Sequence, residues 1–259
     1  MIWIAASPWV AGAMLFVGLL IGLEFGRWLG RRRIARHPSE AHAPSAIDAA
    51  VLALFGLLVA FEFSGAAARF DERRSLIVQE ANAISTAYAR LDLLAAPDRS
   101  KLQESFRQYV ELRIRAHGAL TGSVETQRLQ QVIWSDAVRA AAKDVASPSA
   151  NILLLPALNE MIDLTTTRAM AARMHAPVII SAMLVGVALI GALLGGYALA
   201  AASSRPWVHM LSFALVVTLV IYVIADLEYP RAGYLRVDDF DSVLLDLRRA
   251  MDVRQPATV

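Results

Sequence analysis

The chain has 259 residues, of which 57% are hydrophobic, and its formal net charge at pH 7 is only +2. A charge this close to neutral gives no electrostatic case for nucleic-acid binding. The sequence has no cysteine, which excludes disulfides, thiol catalysis and cysteine-ligated metals. The mean hydropathy of +0.48 is too high for an ordinary soluble domain.

Four apolar segments are each long enough to cross a bilayer, which takes about 20 mostly apolar residues. They run over residues 9–29, 47–70, 178–202 and 207–225. We expect the first segment to be a retained span and not a cleaved signal peptide, because no basic residue precedes it and the arginines at 31–33 follow it as a stop-transfer flank.

The region between the second and third spans has helical periodicity throughout. The second span continues without glycine or proline from Ala66 to Ala96, and further helices are predicted from Pro97, over 126–146 and over 151–174, the last kinked at Pro156. On the second of these further helices, the predicted apolar side is Leu129, Val132, Ile133, Val138 and Val145. No segment alternates with period two, so the predicted fold is all-α without a sheet.

These elements predict four parts of a polytopic membrane protein with four transmembrane helices and an inserted helical domain. Residues 1–70 hold transmembrane helices 1 and 2, 71–176 form the extramembrane helical domain, 177–228 form a hairpin of transmembrane helices 3 and 4, and 229–259 form a polar tail with one short helix.

The first span has a ridge of small residues, with glycines four apart at 18, 22, 26 and 30. Such a ridge lets another backbone approach closely in lipid. The partner is either another subunit or another helix of the same subunit. Glu24 and Arg27 lie one turn apart near the end of the first span and are predicted to pair near the membrane interface.

Glu62 is a carboxylate inside the second span. An ionisable residue at this depth is costly, so it faces protein or water and is a functional hypothesis by default. It either pairs with an arginine of another helix or faces a water-filled path.

No catalytic constellation is present. The histidines have no metal-ligand spacing, and no phosphate loop, nucleophile elbow or zinc-protease motif occurs. We therefore predict neither an enzyme nor a cofactor or metal site. The carboxylates after the fourth span are interpreted as a solvated acidic tail, with a weak divalent-ion site or a subunit clasp as the alternative; they are Asp226, Glu228, Asp238, Asp239 and Asp241.

Two places resemble the bestrophin ion channels. Ala60-Phe61 and Arg69-Phe70 stand where that family's second span ends, and the segments 226–230 and 238–241 resemble its acidic stretch after the last span. Over nearly its full length the chain is similar to the bacterial bestrophin-like group. The resemblance implies a homo-oligomer, as a pentamer, in the bacterial inner membrane, with lipid and small inorganic ions as its other partners.

The resemblance also implies a pore neck of three apolar residues, four apart on the second span. Carried over by register, these are Ala53, Leu57 and Phe61. Glu62 departs from the family, whose bacterial members often have a basic or amide residue there, and we predict that it flanks the pore as a charge. The resemblance also favours Asp238, Asp239 and Asp241 as the possible clasp or divalent-ion site. Residues four apart share one helix face. Ala53 is small, so the first ring of the neck is expected to be wide.

The orientation in the membrane is open to two predictions. The arginines at 31, 32, 33 and 36 place the first loop in the cytoplasm by the positive-inside rule, with the helical domain outside. The resemblance implies a cytoplasmic helical domain instead.

The sequence thus predicts an oligomeric ion channel with its pore lined by the second transmembrane helix. The alternative is a membrane sensor or scaffold whose helical domain binds a ligand or partner protein.

Overall fold

The structure is a computed structural model that describes residues 8–37, 46–115, 124–143, 148–202, 204–229, 234 and 242–253. Its α-helices, in chain order, are α1 Pro8–Arg36, α2 Ala46–Arg90, α3 Ala96–Arg115, α4 Val124–Lys143, α5 Leu155–Ala171, α6 Val178–Ala198, α7 Trp207–Glu228 and α8 Ser242–Val253. Within these described ranges there is no strand. The helices α1, α2, α6 and α7 are long and apolar enough to cross a membrane. The predicted all-α fold with four transmembrane helices is therefore confirmed.

The chain forms two compact units. The span unit consists of residues 1–70 and 175–235, and the helical unit consists of residues 71–174 and 236–259. The two units are defined by contacts between residues and not by the membrane. The predicted domain boundaries, which follow the expected edges of the bilayer, therefore stay a prediction.

In the span unit, the glycine ridge of α1 packs against α6. A Cβ added at Gly26 would collide with the carbonyl oxygen of Leu193, and one added at Gly196 on α6 would collide with the carbonyl oxygen of Leu23. The two backbones therefore touch where only glycine fits. Of the two interpretations of the ridge, the contacts match packing within one subunit.

The core of the span unit lies along α6 and α7. Leu19 and Leu23 of α1 pack with alanines of α6 and with Met210 of α7. The helix α2 joins through Ala66, which packs with Leu184 and Ile224. One face of α2 is thus covered by the neighbouring spans.

The described residues of the helical unit form one large apolar core. Ile84 of α2, Phe106 of α3, Ile133 of α4 and Leu158 of α5 are all fully buried in it. Two side chains of α8, Leu244 and Met251, belong to the same core. The short helix predicted within a polar tail is therefore part of this core.

Pro156 lies in the first turn of α5 and is preceded by a π-helical turn, Ala150–Leu154. Proline has no N–H and its ring clashes with the preceding turn of an α-helix. The π-turn ends at Leu154 and α5 begins at Leu155. Pro156 therefore lies in the first turn of an α-helix, where proline is best tolerated.

Two buried polar networks cross the core of the helical unit. In the first, fully buried Glu80 accepts 2.6 Å hydrogen bonds from Arg113 and from Arg168.

The second network is centred on Tyr109. Its hydroxyl forms a hydrogen bond of 2.9 Å with Thr165, and the amide of Gln130 donates to Tyr109 at 3.2 Å. Burial, followed by the nearby Glu80 carboxylate, raises the pKa of the Tyr109 hydroxyl above its ordinary value, so the phenol stays protonated and acts as a donor. Thr165 itself donates to the carbonyl of Met161.

Candidate pore-lining helix and its flanking charges

An exposed apolar stripe runs along the part of α2 in the span unit. Ala53, Leu57 and Phe61 are all exposed in the single subunit, Leu57 by 52% and Phe61 by 69%. They are four residues apart, so each lies about 6 Å further along the helix axis than the one before. The structure thus places the three predicted neck residues on one uncovered face.

The stripe changes character after Phe61. Ser64 and Ala68 continue it with small side chains, and both are exposed. Phe61 is thus the last bulky residue on this face, with the small side chain of Ala53 at the other end of the neck. A ring built from this face would be narrowest at the phenylalanine.

The same helix is the least covered of the four spans. Only 6% of the most apolar window of α2 is buried, against 17% for α1 and 22% for both α6 and α7. An apolar helix that its own subunit leaves bare must be covered by lipid or by further protein.

Glu62 lies on the covered side of α2, away from the stripe. It is 9% exposed, and it shares its side of the helix with Val59 and Ala66, which pack against α6 and α7. Among the residues that the structure describes, no cation or hydrogen-bond donor contacts this carboxylate. The position favours a role inside the subunit, and the predicted pore-flanking role remains a prediction.

Arg69, at the end of the apolar part of α2, is paired with a carboxylate of α7. Its Nε donates to Oε2 of Glu228 at 2.9 Å, and the side chain folds back over Gly65, where a Cβ would lie 3.2 Å from the guanidinium. The other oxygen, Oε1 of Glu228, accepts the backbone N–H of Ala176 at 2.7 Å and lies 3.4 Å from Nδ1 of His175. This cluster, which we call the Arg69–Glu228 node, ties α2 to the end of α7.

The interpretation of the acidic residues as a solvated tail is wrong for the two that come first. Asp226 and Glu228 are 2% and 6% exposed. Asp226 accepts the backbone N–H of Tyr234 at 2.9 and 3.1 Å. Both carboxylates are retained inside the protein because they have donors there.

The remaining acidic residues of the predicted clasp, Asp238, Asp239 and Asp241, lie outside the described residues. In the part of the chain that the structure describes, no group of three metal-ligating side chains is close enough to hold an ion.

Sequence reasoning singled out Arg69 and Glu228 but did not pair them. Arg69 and Glu228 are 159 positions apart, so the sequence does not reveal their contact. No sequence pattern points to a role for His175. The one available signal was that each residue lies at the end of an apolar span, where oppositely charged ends of neighbouring helices meet.

Four apolar helices, an exposed apolar face and buried charges at the helix ends define a multi-pass helical membrane protein. A family model for the bestrophin-like domain matches residues 17–240, and the chain belongs to the bestrophin-like family. No protein of curated function matches the sequence.

Solved structures with the same fold come from a bacterial bestrophin homologue of Klebsiella pneumoniae. One is 15% identical to this chain with a TM-score of 0.69, and the match covers 93% of this chain and 99% of the homologue. A single-substitution variant is 13% identical with a TM-score of 0.71, over 93% of this chain and all of the other. At these identities the likeness shows the fold.

Membership of the family supports a membrane protein of the ion-channel type.

Proposed function

We propose that this protein is a homopentameric ion channel of the cell inner membrane, with α2 of each subunit lining a central pore. The observation that supports the proposal most is the exposed stripe of Ala53, Leu57 and Phe61 on the span that its own subunit covers least. In the pentamer these faces turn toward the axis and form three successive apolar rings.

The rings act as a barrier to ions because they are narrow and exclude water. A narrow apolar constriction excludes water, and an ion cannot shed its hydration shell into it at low cost. Phe61 has the largest side chain of the three and forms the tightest ring. Opening then consists of widening or rotating this ring until water enters.

The Arg69–Glu228 node supports this arrangement because it fixes the rotation of α2 about its own axis. Arg69 lies two turns beyond Phe61 on the same helix. A part-buried, hydrogen-bonded ion pair favours one geometry, so it keeps the covered face of α2 on α6 and α7. The stripe of neck residues then stays on the side of α2 that its own subunit leaves exposed, where it can line the pore.

The subunit number is the first measurement. We expect the purified protein in detergent to have the mass of five chains, measured by light scattering with correction for bound detergent. A monodisperse monomer or dimer cannot surround a pore with α2. That outcome would overturn the channel and favour the alternative, a membrane sensor or scaffold that uses its helical unit.

Glu62→Gln separates the two roles of the buried carboxylate. Because Glu62 is covered and without a described partner, a neutral amide removes a desolvation cost. We expect equal or higher thermal stability and an unchanged reversal potential in a salt gradient. Glu160→Gln, the same change at an exposed position of α5, is the control for stability. A shift of the reversal potential toward anions would show instead that Glu62 faces the ion path.

A further inference from the structure

A groove opens on the span unit where α1 ends and α7 begins. Its volume is about 650 Å³. Apolar and aromatic side chains of α1 line one side, Ile21 and Phe25 among them, and Trp207 lines the other. The groove therefore extends from the apolar part of a span to the charged residues that end it.

The charged rim of this groove has an excess of cations. Arg27, Arg31 and Arg205 line it together with a single carboxylate, Glu24. Oε1 of Glu24 lies 3.4 Å from Arg205 and 3.9 Å from Arg27, the predicted pair. Among the described residues that line the groove, one carboxylate thus faces three guanidinium groups, which leaves an excess of two positive charges.

Arg27 is the most informative of these side chains. It is only 2% exposed, yet no described residue supplies an acceptor for its Nε. Its one described hydrogen bond runs from a terminal nitrogen to the carbonyl of Ser204 at 3.1 Å. A buried guanidinium with an unused donor is costly, and an anion close to it lowers that cost by offsetting its charge.

The aromatic residues place the groove at the membrane–water boundary. Trp28 and Trp207 are 44% and 47% exposed, and tryptophan is enriched at the level of the lipid headgroups. Arg32 lies 3.8 Å over the ring of Trp28, and Phe25 stacks on the same ring at 5.6 Å. Lipid phosphates lie at this depth.

We propose that this groove binds an anionic glycerophospholipid of the surrounding leaflet. The phosphate is held by Arg31 and Arg205 at the rim, and its negative charge also offsets the positive charge of the buried Arg27 guanidinium. An acyl chain follows Ile21 and Phe25 toward the bilayer interior. Basic pockets between transmembrane helices are known to hold anionic headgroups, and the planar guanidinium suits phosphate. This proposal holds whether or not the protein is a channel.

The binding test compares two lipids on the full-length protein in dodecyl maltoside. Native mass spectrometry counts bound dioleoyl-phosphatidylglycerol and dioleoyl-phosphatidylcholine in titrations of equal concentration. We expect phosphatidylglycerol to bind at least tenfold more tightly, because it has a net negative charge and the described residues of the rim have an excess of two positive charges. Equal binding of the two lipids would overturn the proposal without the need for any variant.

The variants identify the groove as the site. Arg31→Gln combined with Arg205→Gln is expected to weaken phosphatidylglycerol binding roughly tenfold or more, since each interfacial cation contributes about fivefold. Arg36→Gln removes the same charge from an exposed position of α1 outside the groove and should leave the affinity within twofold. If the double variant fails to fold, Arg31→Gln alone, at an exposed position, serves in its place. Unchanged affinity in these variants would overturn the proposal.

Inorganic phosphate distinguishes a lipid from a soluble anion. We expect it neither to raise the melting temperature of the protein nor to displace phosphatidylglycerol, because it cannot occupy the apolar side of the groove. If phosphate alone stabilises the wild-type protein and not the Arg31→Gln, Arg205→Gln variant, the site takes a soluble anion and the lipid assignment is wrong.

Discussion

Phe61→Ala is expected to raise single-channel conductance or open probability several-fold while the oligomer still assembles. The substitution removes the bulkiest side chain of the exposed stripe and leaves the covered face of α2 untouched. A wider constriction fills with water, and hydrated ions then cross it at lower cost. Planar-bilayer recording of purified protein measures both quantities.

Phe63→Ala is the matched control for this experiment. Phe63 is also exposed, by 45%, and lies only two residues further on. Two residues correspond to about 200° around a helix, so its ring points away from the face of Phe61. We expect wild-type conductance for this variant. Equal effects of the two substitutions would mean that the stripe does not line the ion path.

Glu80→Gln is expected to cost the helical unit about 3–5 kcal/mol, the usual loss when one partner of a buried ion cluster is removed. Glu80 is fully buried, and Arg113 and Arg168 both donate to it. A neutral amide leaves two guanidinium groups without their anion inside the core. The apparent melting temperature, followed by tryptophan fluorescence in detergent, should fall by many degrees.

The control for Glu80 is Glu125→Gln, the same chemical change at an exposed position of α4, which should shift the melting temperature little. Replacing Glu80, Arg113 and Arg168 together by methionine should restore much of the loss, because no buried charge is then left unpaired. A Glu80→Gln protein as stable as Glu125→Gln would show that the cluster contributes nothing to the stability of the unit.

The four membrane spans were predictable because each is a continuous apolar run long enough to cross a bilayer. The inner face of α4 was not. Val132 and Val138, predicted to face inward, are each 40% exposed, whereas Thr126 and Gln130 are buried. Gln130 is covered because it donates to Tyr109 and Thr165, which lie on other helices, and hydropathy patterns contain no record of such partners.

The candidate site also has one part that the sequence predicts and another part that only the fold shows. The neck residues follow from the resemblance alone, and in the structure they lie on one exposed face. The Arg69–Glu228 node and the basic groove depend on side chains more than 150 positions apart. The sequence alone shows that these charged residues are present. Only the fold shows which of them are in contact.

The helix α8 determines the order in which this protein can mature. Its side chains Leu244 and Met251 complete the core of the helical unit, yet ribosomes synthesise them after α6 and α7. The segment 71–174 therefore emerges first with part of its core uncovered, and it must wait for the insertion of a later membrane hairpin before it closes. During that interval it is exposed to proteases and chaperones, so a translation stall within α6 or α7 should mark the nascent chain for degradation.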